Sequence, residues 1–321
     1  MNIDTSANAT EGASLDVGKL YRQYKAYAFS IAYRMLGSVV EAEDVVQDCF
    51  AALQAQEQQQ REVDEPIRNP KSYIAKLIVN RSLNLLASAR NQRESYVGEW
   101  LPEPMTDPGL MPEETMAQKE MISYAYLVML ERLSPVERAV FVLREAFGHE
   151  YRDIAEWLGK SESNCRQIFS RAKRNLPSSV PSMEYGEAEL AAKQKLLSRF
   201  TAAFMNYDVG AMMELLAEQP VFTSDGGGKV HTVMRTMNVR KGVVALLTSR
   251  RVLNGLRQMQ WMVVRINGEP QAALFVEGKL RGVLCLQADA SGERLEGCYL
   301  IVNPDKLRSI KITQENIDLQ E

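Results

Sequence analysis

The chain has 321 residues, 45% hydrophobic and 25% charged, with a net charge of −3; at roughly 100–200 residues per domain, that composition means two or three folded domains rather than one core or a disordered chain. No apolar run reaches the roughly 18–20 residues that span a bilayer, and Met1 to Leu15 lacks a basic-then-apolar leader, so the expectation is a cytoplasmic protein with no membrane partner. The charge excludes a uniformly basic nucleic-acid coat, although a local basic element stays open.

The first block, residues 16–95, is helical in pattern. Tyr24, Tyr27, Ala28, Ile31, Ala32 and Met35 form a stripe at i, i+3, i+4, i+7 spacing, Gly37-Ser38 breaks it, and a second amphipathic helix begins at Glu41. A third runs from about Pro70 to Ala89. Residues 96–115 form a linker: Pro102, Pro104, Pro108 and Pro112 each lack an amide proton and restrict the residue before them, so no helix crosses it. The second block, residues 116–177, opens a helix at Ser134-Pro135-Val136-Glu137, with serine as cap, proline in the first turn and glutamate reaching back. Gly148 and Gly159 then separate short helices near Tyr151 to Leu158 and Ser161 to Leu176. After a Pro- and Ser-rich break from Pro177 to Gly186 the period changes. The third block, residues 187–306, has one amphipathic helix (Leu190, Leu197, Phe200, Phe204) followed by short apolar runs at Val221, Trp261, Ala272, Val283 and Tyr299, an α+β pattern whose strands read as a meander. Cys49, Cys165, Cys285 and Cys298 make no C-x-x-C pair and lie in apolar-periodic stretches, which predicts buried, reduced thiols and no metal or cofactor site.

Charge is concentrated where the second block ends. Lys160 to Arg174 holds five bases against the single acid Glu162. Ala155, Gly159, Cys165 and Ile168 supply the small residue, the corner and the inner face of a helix-turn-helix. Its second helix then turns Arg166, Gln167, Ser170, Arg171 and Arg174 outward, mixing groups that read base edges with cations that meet phosphate. Leu133-Ser134-Pro135-Val136-Glu137-Arg138, Tyr151-Arg152-Asp153-Ile154-Ala155 and Ser170-Arg171-Ala172-Lys173 closely resemble region 4 of extracytoplasmic-function (group IV) sigma factors. The resemblance implies that this helix reads the −35 promoter element while the preceding helices hold the β flap of RNA polymerase.

The first block resembles region 2 of the same family. Glu41, Asp44 and Asp48 fall three to four residues apart, so their carboxylates share one helical face with Gln47 and can meet a basic partner; the resemblance makes that partner the β′ coiled coil of core polymerase. Ser72 to Arg81 resembles the segment that opens the −10 element, which places Lys76, Asn80, Arg81, Arg90 and Arg93 on the single strand, with the family's asparagine at Asn80. Tyr73 stands where the family usually has tryptophan.

The third block resembles the SnoaL-like cone of the NTF2-like superfamily. Tyr96-Val97-Gly98-Glu99-Trp100-Leu101-Pro102-Glu103-Pro104, Asp225-Gly226-Gly227-Gly228-Lys229 and Asn303-Pro304-Asp305-Lys306-Leu307 are similar to motifs of the ECF41, or SigJ-type, group. Read alone, the glycine run is a tight loop and Trp100 an apolar anchor; the group's pattern makes Trp100 and the residues of the latter two motifs an interdomain regulatory contact. His231 has no acid–base partner at a recognisable spacing, so no enzyme is expected. A small ligand in a cone lined by Trp261, Met262 and Phe275 stays open. The expected protein is multidomain, with two all-α sigma domains followed by an α+β SnoaL-like domain that regulates them. The competing readings are a stand-alone repressor with a sensing domain, which would bind duplex DNA without polymerase, and an isomerase or hydrolase carrying a DNA module.

Overall fold

A computed structural model describes residues 16–58, 69–94, 96–106, 122–177 and 186–312, with backbone only at 56, 58, 89–94, 251, 253 and 254. Helix α1 (Val17–Leu36) is capped by the Asp16 carboxylate and ends at Gly37 in the left-handed conformation. It packs on α2 (Val39–Gln58) and α3 (Pro70–Glu94), burying the stripe read from the sequence: Ala28, Ile31, Ala32 and Met35 are fully enclosed.

Among the described residues, the second block holds four helices: α4 (Tyr124–Leu130), α5 (Pro135–Phe141), which continues as a π turn over Val142–Ala146, α6 (Tyr151–Leu158) and α7 (Glu162–Asn175). Glu137 accepts the Ser134 amide at 3.0 Å, as the capping pattern predicts. The two helical blocks, read from sequence as separate modules, share one apolar core that runs from Val17 to Leu176. Polar bonds cross the seam: Arg138 Nη1 donates to the Met35 carbonyl at 2.8 Å, and the Tyr27 hydroxyl meets His149 Nε2 at 2.7 Å.

The third block contains α8 (Glu187–Met205), α9 (Val209–Leu215), β1 (Leu216–Asp225), α10 (Arg240–Leu247), α11 (Arg250–Leu256), β2 (Gln260–Ile266), β3 (Glu269–Val276), β4 (Lys279–Ala288) and β5 (Leu295–Ile301). The sheet order is β1-β5-β4-β3-β2. Strands β2 to β5 form the expected antiparallel meander, but β1 pairs parallel with β5. The missed helices α10 and α11 account for the difference, because they carry the chain from one sheet edge to the other. Each has eight residues or fewer, too short for apolar period to stand out from its surroundings.

Both faces of the sheet are covered. Helices α8 to α10 fill one side, where Phe204 packs on Trp261 with ring centroids 5.2 Å apart. Against the other lie Leu101 of the linker and Tyr124 and Ala125 of α4. Because side chains alternate along a strand, Trp261 faces the helices while Met262 joins Phe275 on the opposite side; the three do not line one cavity. Helix α4 reads Tyr-Ala-Tyr-Leu-Val-Met-Leu with no charged residue, the mark of a helix buried all round. It is a wedge: Tyr126, Leu127, Met129 and Leu130 belong to the helical core, Tyr124 and Ala125 to the sheet core. All four cysteines are buried.

Candidate functional site

Helices α6 and α7 meet at the Gly159 corner, with Ala155, Cys165, Ile168 and Ala172 buried between them. Ser161 caps α7 by accepting the Asn164 amide at 3.2 Å. Arg166, Gln167, Ser170, Arg171 and Arg174 are exposed along the outer face. Arg166 folds back on Glu162 at 2.5 Å and over the Tyr151 ring at 4.5 Å; an exposed pair of that kind contributes about 0–1 kcal/mol, so a phosphate can displace it.

On α2, Asp44, Gln47 and Asp48 are exposed side by side, and Glu41 is half-buried. On α3, Lys76 is paired with Glu156 of α6 at 3.2 Å, Asn80 is half-buried, and Arg81 donates to the Asp48 carbonyl at 3.3 Å. The side chains of Arg90 and Arg93 lie outside the described residues. Lys76 therefore joins the surface expected to meet one promoter element to the helix that precedes the one expected to read the other.

The linker and the two motifs of the third block converge on a buried charge. Asp225, at the end of β1, is fully enclosed. Its Oδ1 accepts the Tyr96 hydroxyl at 2.6 Å and the Gly227 amide at 3.0 Å. Its Oδ2 accepts the Leu101 amide at 2.9 Å and the Lys306 ammonium at 2.7 Å. Lys306 also donates to the Leu101 carbonyl and stands 3.9 Å above the Trp100 ring and 5.3 Å from that of Tyr96. Burial lowers its pKa, with Asp225 opposing the shift. Asn303 donates to the Tyr96 hydroxyl at 2.9 Å. Gly227 has a φ of +59°, and a Cβ there would lie 2.3 Å from Asn303 Nδ2, so only glycine lets the loop close over the asparagine. Gly228 lies against Val97, Lys229 pairs with Asp305, Leu307 enters the sheet core, and Pro304 is exposed at the turn.

The same linker grips both helical blocks. Trp100 packs on Gly37, where a Cβ would lie 2.8 Å from the ring. The Tyr33 hydroxyl donates to the Glu103 carbonyl at 2.5 Å, and Tyr124 donates to the Pro102 carbonyl at 2.8 Å. Residues 105 and 106 add to the β2 edge, with the Asn267 amide on the Met105 carbonyl at 2.7 Å and a bridge from Thr106 to Ile266.

The description "Sigma-70, region 4" matches residues 123–176, and "Sigma-70 region 2" matches residues 20–92. Over 230 residues the chain is 31% identical to the ECF RNA polymerase sigma factor SigJ of Mycobacterium tuberculosis, covering 71% of this chain and 70% of that protein. The chain belongs to the ECF RNA polymerase sigma factors. The probable ECF sigma factor SigI of the same species is 29% identical over 305 residues, 92% of this chain and 96% of that one. The crystal structure of M. tuberculosis SigJ gives a TM-score of 0.69 at 26% identity, covering 92% of this chain and all of that one.

As an ECF sigma factor the chain acts with core RNA polymerase and promoter DNA in promoter-specific transcription initiation. Sigma factors are initiation factors rather than enzymes. No helix among the described residues is long and apolar enough to cross a membrane. The α+β domain after region 4 is the architecture that the SigJ structure shares. Sequence reading singled out only Trp100 in the Tyr96–Pro104 motif, leaving Tyr96 and Glu103 without a role of their own, and it missed Tyr33, Tyr124 and Asn267 as contact residues. Tyr33 and Tyr124 sit in apolar periods and pass for core, whereas Tyr96 opens the linker motif; Glu103, a lone acid between two prolines, stands in the same motif, and its carboxylate has no helix of its own to serve.

Proposed function

We propose that the third domain holds this sigma factor closed and that seating of the linker is the control. In the cytoplasm Glu41, Asp44, Gln47 and Asp48 dock on the β′ coiled coil of core polymerase. Lys76, Asn80, Arg81, Arg90 and Arg93 hold the opened −10 strand. Arg166, Gln167, Ser170, Arg171 and Arg174 seat the −35 element, with α4 and α5 on the β flap. Trp100, Asp225 to Lys229 and Asn303 to Leu307 keep region 2 and region 4 together until the linker leaves.

The contact between Lys76 and Glu156, at 3.2 Å, carries this reading. Elements numbered 25 base pairs apart lie roughly 85 Å from each other at about 3.4 Å per pair. Helix α7 has 14 residues, about 21 Å at about 1.5 Å per residue, so readers touching through α6 cannot engage both elements. Between the end of α3 at Glu94 and the start of α4 at Tyr124 lie 29 residues, which reach about 100 Å when extended. With residues 96–106 seated, 17 residues from 107 to 123 are left, about 60 Å. Release of the linker thus moves the tether from below the promoter span to above it.

The test locks the seam. Lys76→Cys with Glu156→Cys, joined by a short reducible crosslinker, should bind core polymerase yet give no run-off transcript until reductant is added. Equal transcription by locked and released protein would overturn the closed-state reading, and no binding of core by either form would overturn the docking assignment.

A further inference from the structure

Helix α2 begins without enough caps of its own. The first amides of a helix have no partner within it; here Ser38 Oγ accepts the Glu41 amide at 3.2 Å, which leaves Val39 and Val40 to be satisfied. Their acceptor comes from 63 and 64 residues away: Glu103 Oε2 takes the Val39 amide at 2.7 Å and the Val40 amide at 3.4 Å, and Oε1 takes the Ser38 hydroxyl at 2.9 Å. The carboxylate stands at the positive end of the helix dipole, where a negative charge is favoured. The rest of Glu103 is fixed by α1, with its amide on the Gly37 carbonyl at 2.7 Å and its own carbonyl on the Tyr33 hydroxyl at 2.5 Å. Pro102 and Pro104 on either side keep this stretch extended, so the side chain is presented outward rather than folded into a helix.

We propose that Glu103 is a positioning residue for polymerase docking in the closed state: the linker supplies the N-terminal cap of α2, and the acidic helix holds its docking geometry for the first encounter with core polymerase, before the linker is released. Glu41 and Asp44 lie in the first two turns, where an uncapped helix frays. Leu101, two residues before Glu103, exchanges hydrogen bonds with Asp225 and Lys306, so the third domain reaches the docking helix through two residues of extended chain. The inference rests on α2 being the helix that meets the polymerase.

The test uses the full chain and three variants: Glu103→Ala, Glu103→Gln, and Glu103→Ala with Ser38→Asp. The last places a carboxylate at the cap position of α2 itself. Loss of a cap typically weakens a helix end by a factor of roughly three to ten. Glu103→Ala should speed hydrogen exchange at residues 39–41 and weaken core-polymerase binding, each by about that factor. Glu103→Gln, which keeps one acceptor, should fall between. The double variant should restore both readouts, although the linker still lacks its glutamate. Unchanged exchange at residues 39–41 in Glu103→Ala overturns the cap. Restored exchange with no restored affinity overturns the link to docking. If the unaltered chain does not bind core polymerase, the docking assignment fails with it, while the exchange measurement still decides the cap.

Discussion

Tyr96→Phe isolates the linker contact from the fold of either domain it joins. The hydroxyl donates to Asp225 at 2.6 Å and accepts from Asn303 at 2.9 Å. Both partners belong to the third domain, so the hydroxyl contributes only while the linker is seated; phenylalanine keeps the ring beside Lys306. A hydrogen bond to a charged acceptor typically contributes about 1.5–3 kcal/mol, and the half-buried ring places Tyr96 near the lower end. A loss of about 1.5 kcal/mol shifts the closed–open equilibrium roughly tenfold towards open. The four native thiols are buried, so dyes on Gln54→Cys in region 2 and Ser163→Cys in region 4, both exposed positions, report their separation by energy transfer. The low-transfer population should grow about tenfold from a small starting value, and run-off transcription at saturating core polymerase should rise with it. If neither the transfer histogram nor the transcript yield moves, the clasp does not set the distance between the readers.

His149 is the group through which acid should loosen the seam. Burial, helped by Lys71 and opposed by Asp153, holds its pKa below the ordinary 6.5; it also faces the Tyr27 hydroxyl and the Trp157 ring, and its carbonyl accepts from Arg144. A histidine kept neutral in the packed state contributes fully above its free value. The closed state should therefore be insensitive to pH above 6.5 and lose stability as the pH falls from there through the lowered value, read by the same energy transfer, with His149→Gln flattening the curve. Gly227→Ala meets Asn303 and a strained φ, so thermal unfolding of the third domain should move down by about 1–3 kcal/mol. Arg171→Ala on the exposed face of α7 should weaken promoter binding by holoenzyme and lower the salt slope by about one counterion, while leaving core binding unchanged. Asp48→Lys should weaken core binding while circular dichroism stays constant, because the side chain is exposed and reverses the charge offered to a basic partner.

The helices of regions 2 and 4 were legible because each carries a local signal. The stripe from Tyr24 to Met35 repeats at helical spacing, Ser134-Pro135 announces a start, and Gly159 sets the corner that presents Arg166 to Arg174. Chemistry at the surface was legible for the same reason: the helical period decides that Gln167 and Arg171 face outward once Cys165 and Ile168 face in. The short helices α10 and α11 gave too little period to be read, and without them the parallel pairing of β1 could not be foreseen. The expected joint lining of one pocket by Trp261, Met262 and Phe275 failed on a simpler point, since neighbours on a strand cannot share a face, and Trp261 and Met262 are neighbours.

What the residues determined by themselves was the family, its two helical sigma-70 regions and the presence of an α+β domain behind them, because short-range pattern specifies element type and exposed chemistry. Tertiary structure alone decided that regions 2 and 4 share one core, that α4 is a wedge between that core and the sheet, and that a linker carboxylate completes a helix more than sixty residues upstream. Those contacts join positions far apart in the chain, and the amino acids that make them are tyrosines, a glutamate and an asparagine, whose types fit a dozen other roles. Their partners are fixed only when burial leaves each polar group a single place to go.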